Sequence, residues 1–237
     1  YLAKCNVGSR RSVEKLIVDG RIKVNGEVIS NLAHQINEET DEVKFDNKTI
    51  EYVEDKIYIM LNKPKNYLVS GRDDFDRKTV FDLLPDFGAH LFAIGRLDYM
   101  SEGLLLLTTD GDFANKIIHP RYKLPKLYKV KVKGVLEQDQ IQKLRDGVMI
   151  EGKKTKPAFV KEKSKGENSS VLKITIFEGR KRQIRYMLKK VGSEVLELKR
   201  LQIGDVKLGT LPIGMWRVLK PNEVLTLIRL SERKQRG

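Results

Sequence analysis

Four consecutive leucines, Leu104 to Leu107, leave a glycine-bounded loop, Gly95-Arg96-Leu97-Asp98-Tyr99-Met100-Ser101-Glu102-Gly103, and the apolar run Leu91-Phe92-Ala93-Ile94 enters it. Short apolar runs without a polar face read as strands covered on both sides, since a half-exposed strand alternates and an amphipathic helix repeats every three to four residues. A chain with two such runs must bury them in a sheet. The loop between them then stands at a sheet end and presents one carboxylate, Asp98, beside one guanidinium, Arg96. A loop aspartate reads first as a turn former or an acceptor of backbone hydrogen bonds, and spacing alone does not make it catalytic.

The N-terminal residues follow a different pattern. Over residues 9–20, Val13, Leu16 and Ile17 recur at helical spacing behind the N-cap candidates Ser9 and Ser12, with Gly20 as a stop. Arg10, Arg11 and Lys15 lie on or near the exposed side of this predicted helix. Arg21 to Val24 then alternates into Asn25-Gly26, the dipeptide that best tolerates the positive φ angles of a tight hairpin, and Val28-Ile29 begins the return strand. A further strand is expected over Glu42 to Phe45, and the polar segment Asp46 to Lys56 reads as a linker, which puts a domain boundary near residue 55.

Beyond that boundary, Ile57 to Leu61 reads as a buried strand ended by an Asn62-Lys63-Pro64 turn, and Phe113 to Ile118 as a short helix stopped by Pro120. Lys126 to Val135 alternates basic and apolar residues, the mark of a half-exposed strand with a cationic outer face. A helix is expected over residues 137–146, a strand over Val171 to Phe177, and a helix over Arg182 to Val191. In that last helix Ile184, Met187, Leu188 and Val191 share a face beside a cationic stripe of Arg182, Arg185 and Lys189. The expected class is α+β, with a mixed, mainly antiparallel sheet flanked by helices.

Charge identifies the kind of partner. The 237 residues carry 46 Lys and Arg against 32 Asp and Glu, a formal +14, and a surplus of that size points to a polyanion. Residues 1–57 hold 9 basic and 11 acidic side chains, whereas residues 58–237 hold 37 and 21. The basic surplus therefore belongs to the body of the chain. A single cysteine, Cys5, rules out an internal disulfide framework, and His34, His90 and His119 are too scattered for a metal-ligand pattern. No phosphate-binding or dinucleotide-binding glycine motif occurs. No apolar stretch approaches the roughly 20 residues that span a bilayer. A soluble, cytoplasmic monomer with no metal, cofactor or membrane partner is expected.

Two segments together, GRLDYMSEGLLLLTTDGDFANKIIHPRYKLPKLYKVKVKG and EGRKRQIRYM, resemble the signature motifs of bacterial ribosomal RNA pseudouridine synthases, in the branch with an N-terminal alpha-L RNA-binding module. SRRSVEKLIVDGRIKVNG resembles that module, YIMLNKP the first catalytic motif, and LKRLQIGDVKLGTLPIGMWRVL the closing segment. Tyr186 departs from the pattern, standing where many relatives have a second Arg. The resemblance implies an RNA-binding module over residues 1–55 and a catalytic domain over 56–237. It further implies that Asp98 is the essential carboxylate, that Arg185 orients it, and that Tyr128 stacks on the target uracil. Leu198 would touch the base, while Arg96, Lys63 and Arg182, with Arg10, Arg11 and Lys15 of the module, would contact RNA. The implied substrate is a uridine of ribosomal RNA, with a lean toward the large subunit, and the reaction needs no cofactor. The competing reading is a non-catalytic rRNA-binding or ribosome-assembly protein of the same fold; a methyltransferase lacks a recognisable adenosylmethionine loop.

Overall fold

A computed structural model describes residues 1–5, 7–50, 56–71, 75–122 and 124–233. The chain forms two compact units: residues 1–57 with 86–92 and 109–111, and residues 58–85, 93–108 and 112–237. The expected boundary near residue 55 falls within 51–55, outside the described residues.

The first unit opens with helix α1 (Arg10–Val18), whose start is set by Ser9: its Oγ accepts from the Ser12 N–H at 3.2 Å. Strands β1 (Ile22–Val24), β2 (Glu27–Val28), β3 (Val43–Phe45) and β4 (Lys48–Thr49) make a sheet in the order β2-β1-β3-β4. Asn25 and Gly26 take the positive φ angles that the hairpin requires. The Asn25 side chain also ties down the distant loop, donating to Asp41 and accepting from the Glu42 N–H, each at 2.9 Å. Val13, Ile22, Val24 and Val43 form the core with Leu2, and Leu16 and Ile17 pack against it. Strand β4 lies inside the segment expected to be a linker: Lys44 and Phe45 pair with Thr49 and Lys48, extending the sheet by one strand.

After the first sheet the chain runs through β5 (Tyr58–Lys63), β6 (Phe92–Ile94), β7 (Glu102–Thr108), α2 (Gly111–Ile118), β8 (Lys126–Lys133) and α3 (Gln138–Asp146), which apart from the first residues of β6 and α2 belong to the second unit. Next come β9 (Met149–Ile150), β10 (Lys153–Lys154), β11 (Phe159–Lys165), β12 (Ser169–Ile176), α4 (Gln183–Lys190), β13 (Val195–Ile203), β14 (Val206–Lys207), β15 (Trp216–Val218) and α5 (Pro221–Arg233). The large sheet runs β11-β12-β8-β13-β7-β5-β15. Its pairings along this path are antiparallel except one, β13 with β7, so the sheet is mixed and mainly antiparallel as expected. Leu104 to Leu107 are wholly buried, which accounts for their lack of alternation.

Two expectations change. The turn expected at Asn62-Lys63-Pro64 does not end β5 at Leu61. The strand continues because Asn62 and Lys63 pair with Leu104 and Gly103, and the Asn62 side chain donates to the Leu211 carbonyl at 2.7 Å. Helix α5 has no counterpart in the sequence reading. Pro221 opens it, and Glu223 in its first turn accepts from the Lys220 N–H at 2.8 Å and from both terminal nitrogens of Arg217 at 2.7 Å.

At the parallel seam, Arg200 lies opposite Gly103, and a Cβ on Gly103 would stand 2.2 Å from the Arg200 carbonyl oxygen. With φ at +103°, the position requires glycine on both counts. Gly103→Ala is expected to destabilise the protein by about 3 kcal/mol or more, read by urea denaturation. Gly111→Ala, where an added Cβ meets nothing within 4 Å, should shift stability by less than about 1 kcal/mol.

Candidate active site

The loop between β6 and β7 is held from below by a buried lysine. Lys63 has no accessible surface, and its ammonium donates to the carbonyls of Pro64 (2.9 Å), Ser101 (3.0 Å), Asp98 (3.3 Å) and Tyr99 (3.5 Å). Three of these acceptors belong to the Asp98 loop, whose own turn is closed by the Ser101 N–H donating to the Asp98 carbonyl. Burial lowers the Lys63 pKa to about 8, opposed by the charges of Asp98 and Glu102. The expectation that Lys63 contacts substrate is corrected here: its side chain is sealed from solvent, its ammonium is taken up by four backbone carbonyls, and it does not line the cleft beside Asp98.

With its backbone pinned, Asp98 turns its carboxylate to Arg185 of α4, whose Nε lies 3.7 Å from Oδ2. A second nitrogen of Arg185 donates to the Met100 carbonyl at 3.3 Å, so the guanidinium bridges carboxylate and loop. Burial pushes the Arg185 pKa below its ordinary value, while the Asp98 charge opposes the fall. Of the cationic stripe on α4, Arg185 is drawn inward, its side chain 18% exposed, whereas Arg182 and Lys189 are exposed. Arg182 sits at the α4 N-cap in the left-handed conformation, φ 51°.

Asp98 lines a cleft of about 540 Å³. Tyr128 of β8 and Leu198 of β13, both buried, face it on neighbouring strands, and the exposed Arg96 and Arg182 also line it. Arg10, Arg11 and Lys15 are exposed on α1 in the first unit.

Lys153 and Arg180 also line the cleft, as do two cations drawn into its strands: Lys126, two residues before Tyr128 on the same strand face, and Arg200, two after Leu198. The sequence reading missed them, although alternation puts Lys126 on the inner face with Tyr128 and departs there from the outward pattern of Lys129, Lys131 and Lys133. Other polar groups of the EGRKRQIRYM segment hold the cleft's shape. Arg180 donates to the carbonyls of Lys153 (2.9 Å) and Lys154 (2.7 Å), and Gln183 donates to Glu178 at 2.8 Å. Among the described residues no cluster of three potential metal ligands occurs, and no helix is long and apolar enough to cross a membrane.

A small helix-and-hairpin module thus precedes a mixed sheet whose basic cleft holds a guanidinium-paired carboxylate. The RNA pseudouridylate synthase family matches residues 57–190, and the S4 domain matches residues 1–43. An uncharacterized RNA pseudouridine synthase of Aquifex aeolicus (strain VF5) is 43% identical over 97% of this chain and 92% of its own length. The ribosomal large subunit pseudouridine synthase B of Bacillus subtilis (strain 168) is 40% identical over 98% and 95%. A crystal structure of a pseudouridylate synthase superposes with a TM-score of 0.68 at 31% identity, covering 95% of this chain and 96% of that one. The chain thus belongs to the RNA pseudouridylate synthase family, isomerases of RNA, and carries an N-terminal S4 domain.

Lys63→Met is expected to destabilise the protein by roughly 2–4 kcal/mol, since it leaves buried loop carbonyls without donors. Urea denaturation measures this.

Proposed function

We propose that this protein converts a uridine of ribosomal RNA to pseudouridine, with Asp98 as the essential carboxylate. The observation that carries this reading is the Asp98–Arg185 pair, whose carboxylate lines a cleft shared with Tyr128 and Leu198. The reaction breaks the bond from ribose C1′ to N1 of the base, turns the base, and joins C1′ to C5. The C5 proton leaves and N1 gains one, so no atoms are gained and no electrons are exchanged with a partner. Ionised Asp98 attacks C1′ or promotes loss of a ribose proton to give a glycal. Arg185, a cation at any relevant pH, stands beside the carboxylate and orients it.

A stacked uridine hides its glycosidic bond, so the nucleotide must be extruded. Stacking on Tyr128 would offset ~1–3 kcal/mol of that cost, and Leu198 would add an apolar contact. Arg96 and Arg182, exposed at the cleft, would hold the strand around the extruded nucleotide. Residues 1–55 would act as an RNA-binding module, with Arg10, Arg11 and Lys15 toward phosphate, and residues 56–237 as the catalytic domain. Likeness to the Bacillus subtilis enzyme named for the large ribosomal subunit supports large-subunit rRNA as the target, and a stem-loop, whose bases splay readily, is the expected local shape.

The test is release of tritium from C5-labelled uridine in rRNA transcripts. Wild type should release label, Asp98→Asn should lower turnover by roughly 10³-fold or more with RNA affinity kept, and Arg185→Gln should lower it on the order of 10²-fold. Equal release by Asp98→Asn, or none by wild type on any rRNA fragment, would instead favour the non-catalytic rRNA-binding reading.

A further inference from the structure

The cleft that Asp98 lines also holds two cations withdrawn from solvent, Lys126 and Arg200, with no carboxylate partner among the described residues. Arg200 is 3% exposed; its Nε donates to the Leu104 carbonyl at 2.7 Å, while its Nη2 is buried and makes no hydrogen bond among the described residues. Lys126 donates to the Leu124 carbonyl at 3.1 Å, which leaves two of its three donors. Neither has a carboxylate within salt-bridge distance among the described residues. Burial first, and then the neighbouring Arg200 charge, together lower the Lys126 pKa to about 8. Asp98 acts on Lys63 and Arg185, whereas the charge acting on Lys126 is that of Arg200.

Two like charges partly removed from water without a counterion are unfavourable for folding. An anion brought between them would be held strongly, since few waters compete. The register says which anion. Arg200 lies directly across from Tyr128, and Lys126 pairs with Ile203, so both cations share the strand face of Tyr128 and Leu198. They stand beside the proposed base-stacking residues, while Arg96 and Arg182 are the exposed guanidinia suited to phosphates.

We propose that Lys126 and Arg200 form a seat for the uracil carbonyl oxygens and hold the negative charge of the base once its bond to ribose breaks. This rests on the reading of the Asp98 cleft as a uridine isomerase. Heterolysis leaves the bonding pair on N1 and spreads the charge over N1, O2 and O4. The seat stabilises that leaving group while Asp98 deals with C1′, and the detached base remains bound as it turns to present C5.

Single-turnover kinetics on a target rRNA transcript test this with the full chain. Lys126→Met and Arg200→Met should each slow the chemical step by roughly 10²–10³-fold with RNA affinity nearly unchanged. Lys126→Met should not lower the melting temperature, because it removes an uncompensated charge, and Arg200→Lys should recover part of the rate. With 5-fluorouridine at the target, whose fluorine itself stabilises the detached base, the defects in consuming the nucleotide should shrink. Equal defects on both substrates overturn the proposal, as does a loss confined to affinity with a shallower salt dependence, the mark of a phosphate contact. Wild-type rates in both variants beside an inactive Asp98→Asn overturn the seat alone, and an inert wild type overturns the parent reading as well.

The opposite face of the same sheet carries an independent feature. Lys161, Lys173, Lys129 and Lys199 stand in direct register across β11, β12, β8 and β13. Lys131 and Lys165 nearby pair with Glu197 and Glu162, but none of these four has a carboxylate within salt-bridge distance among the described residues. Like charges directly opposite on adjacent strands destabilise a sheet. We infer that this row binds an RNA backbone away from the target nucleotide. Joint replacement of Lys161, Lys173 and Lys129 by Gln should weaken binding to long rRNA and reduce the slope of log affinity against log salt by about 2, with the rate on a minimal stem-loop unchanged. An unaltered slope on long rRNA overturns it, as does an affinity loss seen only toward acidic ribosomal protein.

Discussion

One buried ammonium holds the centre of the catalytic unit together. Lys63 ends β5 and donates to the carbonyls of Asp98, Tyr99 and Ser101, converting a loop that would otherwise fray into one with a fixed backbone. The same residue pairs with Gly103, and Gly103 in turn closes on Arg200 at the parallel seam. Three strands therefore meet where the proposed chemistry lies. Buried carbonyls need donors, and a lysine stem can deliver several from a single position in a strand, which an apolar side chain cannot do.

The same seam divides the charges of the cleft. On one side the carboxylate of Asp98 is paired with Arg185, and its backbone carbonyl is held by Lys63. On the other, Lys126 and Arg200 have carbonyl partners but no anion among the described residues. A fold selected for stability alone gains nothing from that asymmetry. In the proposed isomerisation, which separates a nucleobase from its ribose and rejoins them, the two sides would face the two fragments.

Much of the architecture was legible because it follows from local rules. Ser9 caps α1 and Asn25-Gly26 turns the hairpin as their side chains and φ preferences require. Leu104 to Leu107 announced a strand buried on both faces. The failures share a cause: Lys63 looked like a turn residue and a substrate contact because lysine in an Asn-Lys-Pro context is normally solvated, and its burial depends on carbonyls 35 to 38 positions away. Lys48 and Thr49 looked like linker because their partner strand supplies the pattern. Arg200 sat unremarked among closing-segment residues, since its meaning comes from β8 alongside it.

The amino-acid sequence alone determined the class of fold, the basic body, the two motif segments and hence the family, because periodicity, turn chemistry and charge are local properties of a chain. Tertiary structure decided which cations are spent on the backbone, which face the cleft and which remain without an anion. Lys63, Lys126, Arg185 and Arg200 are alike in composition and differ in burial and neighbours, and those are set by strands and helices distant in the chain that only folding brings together.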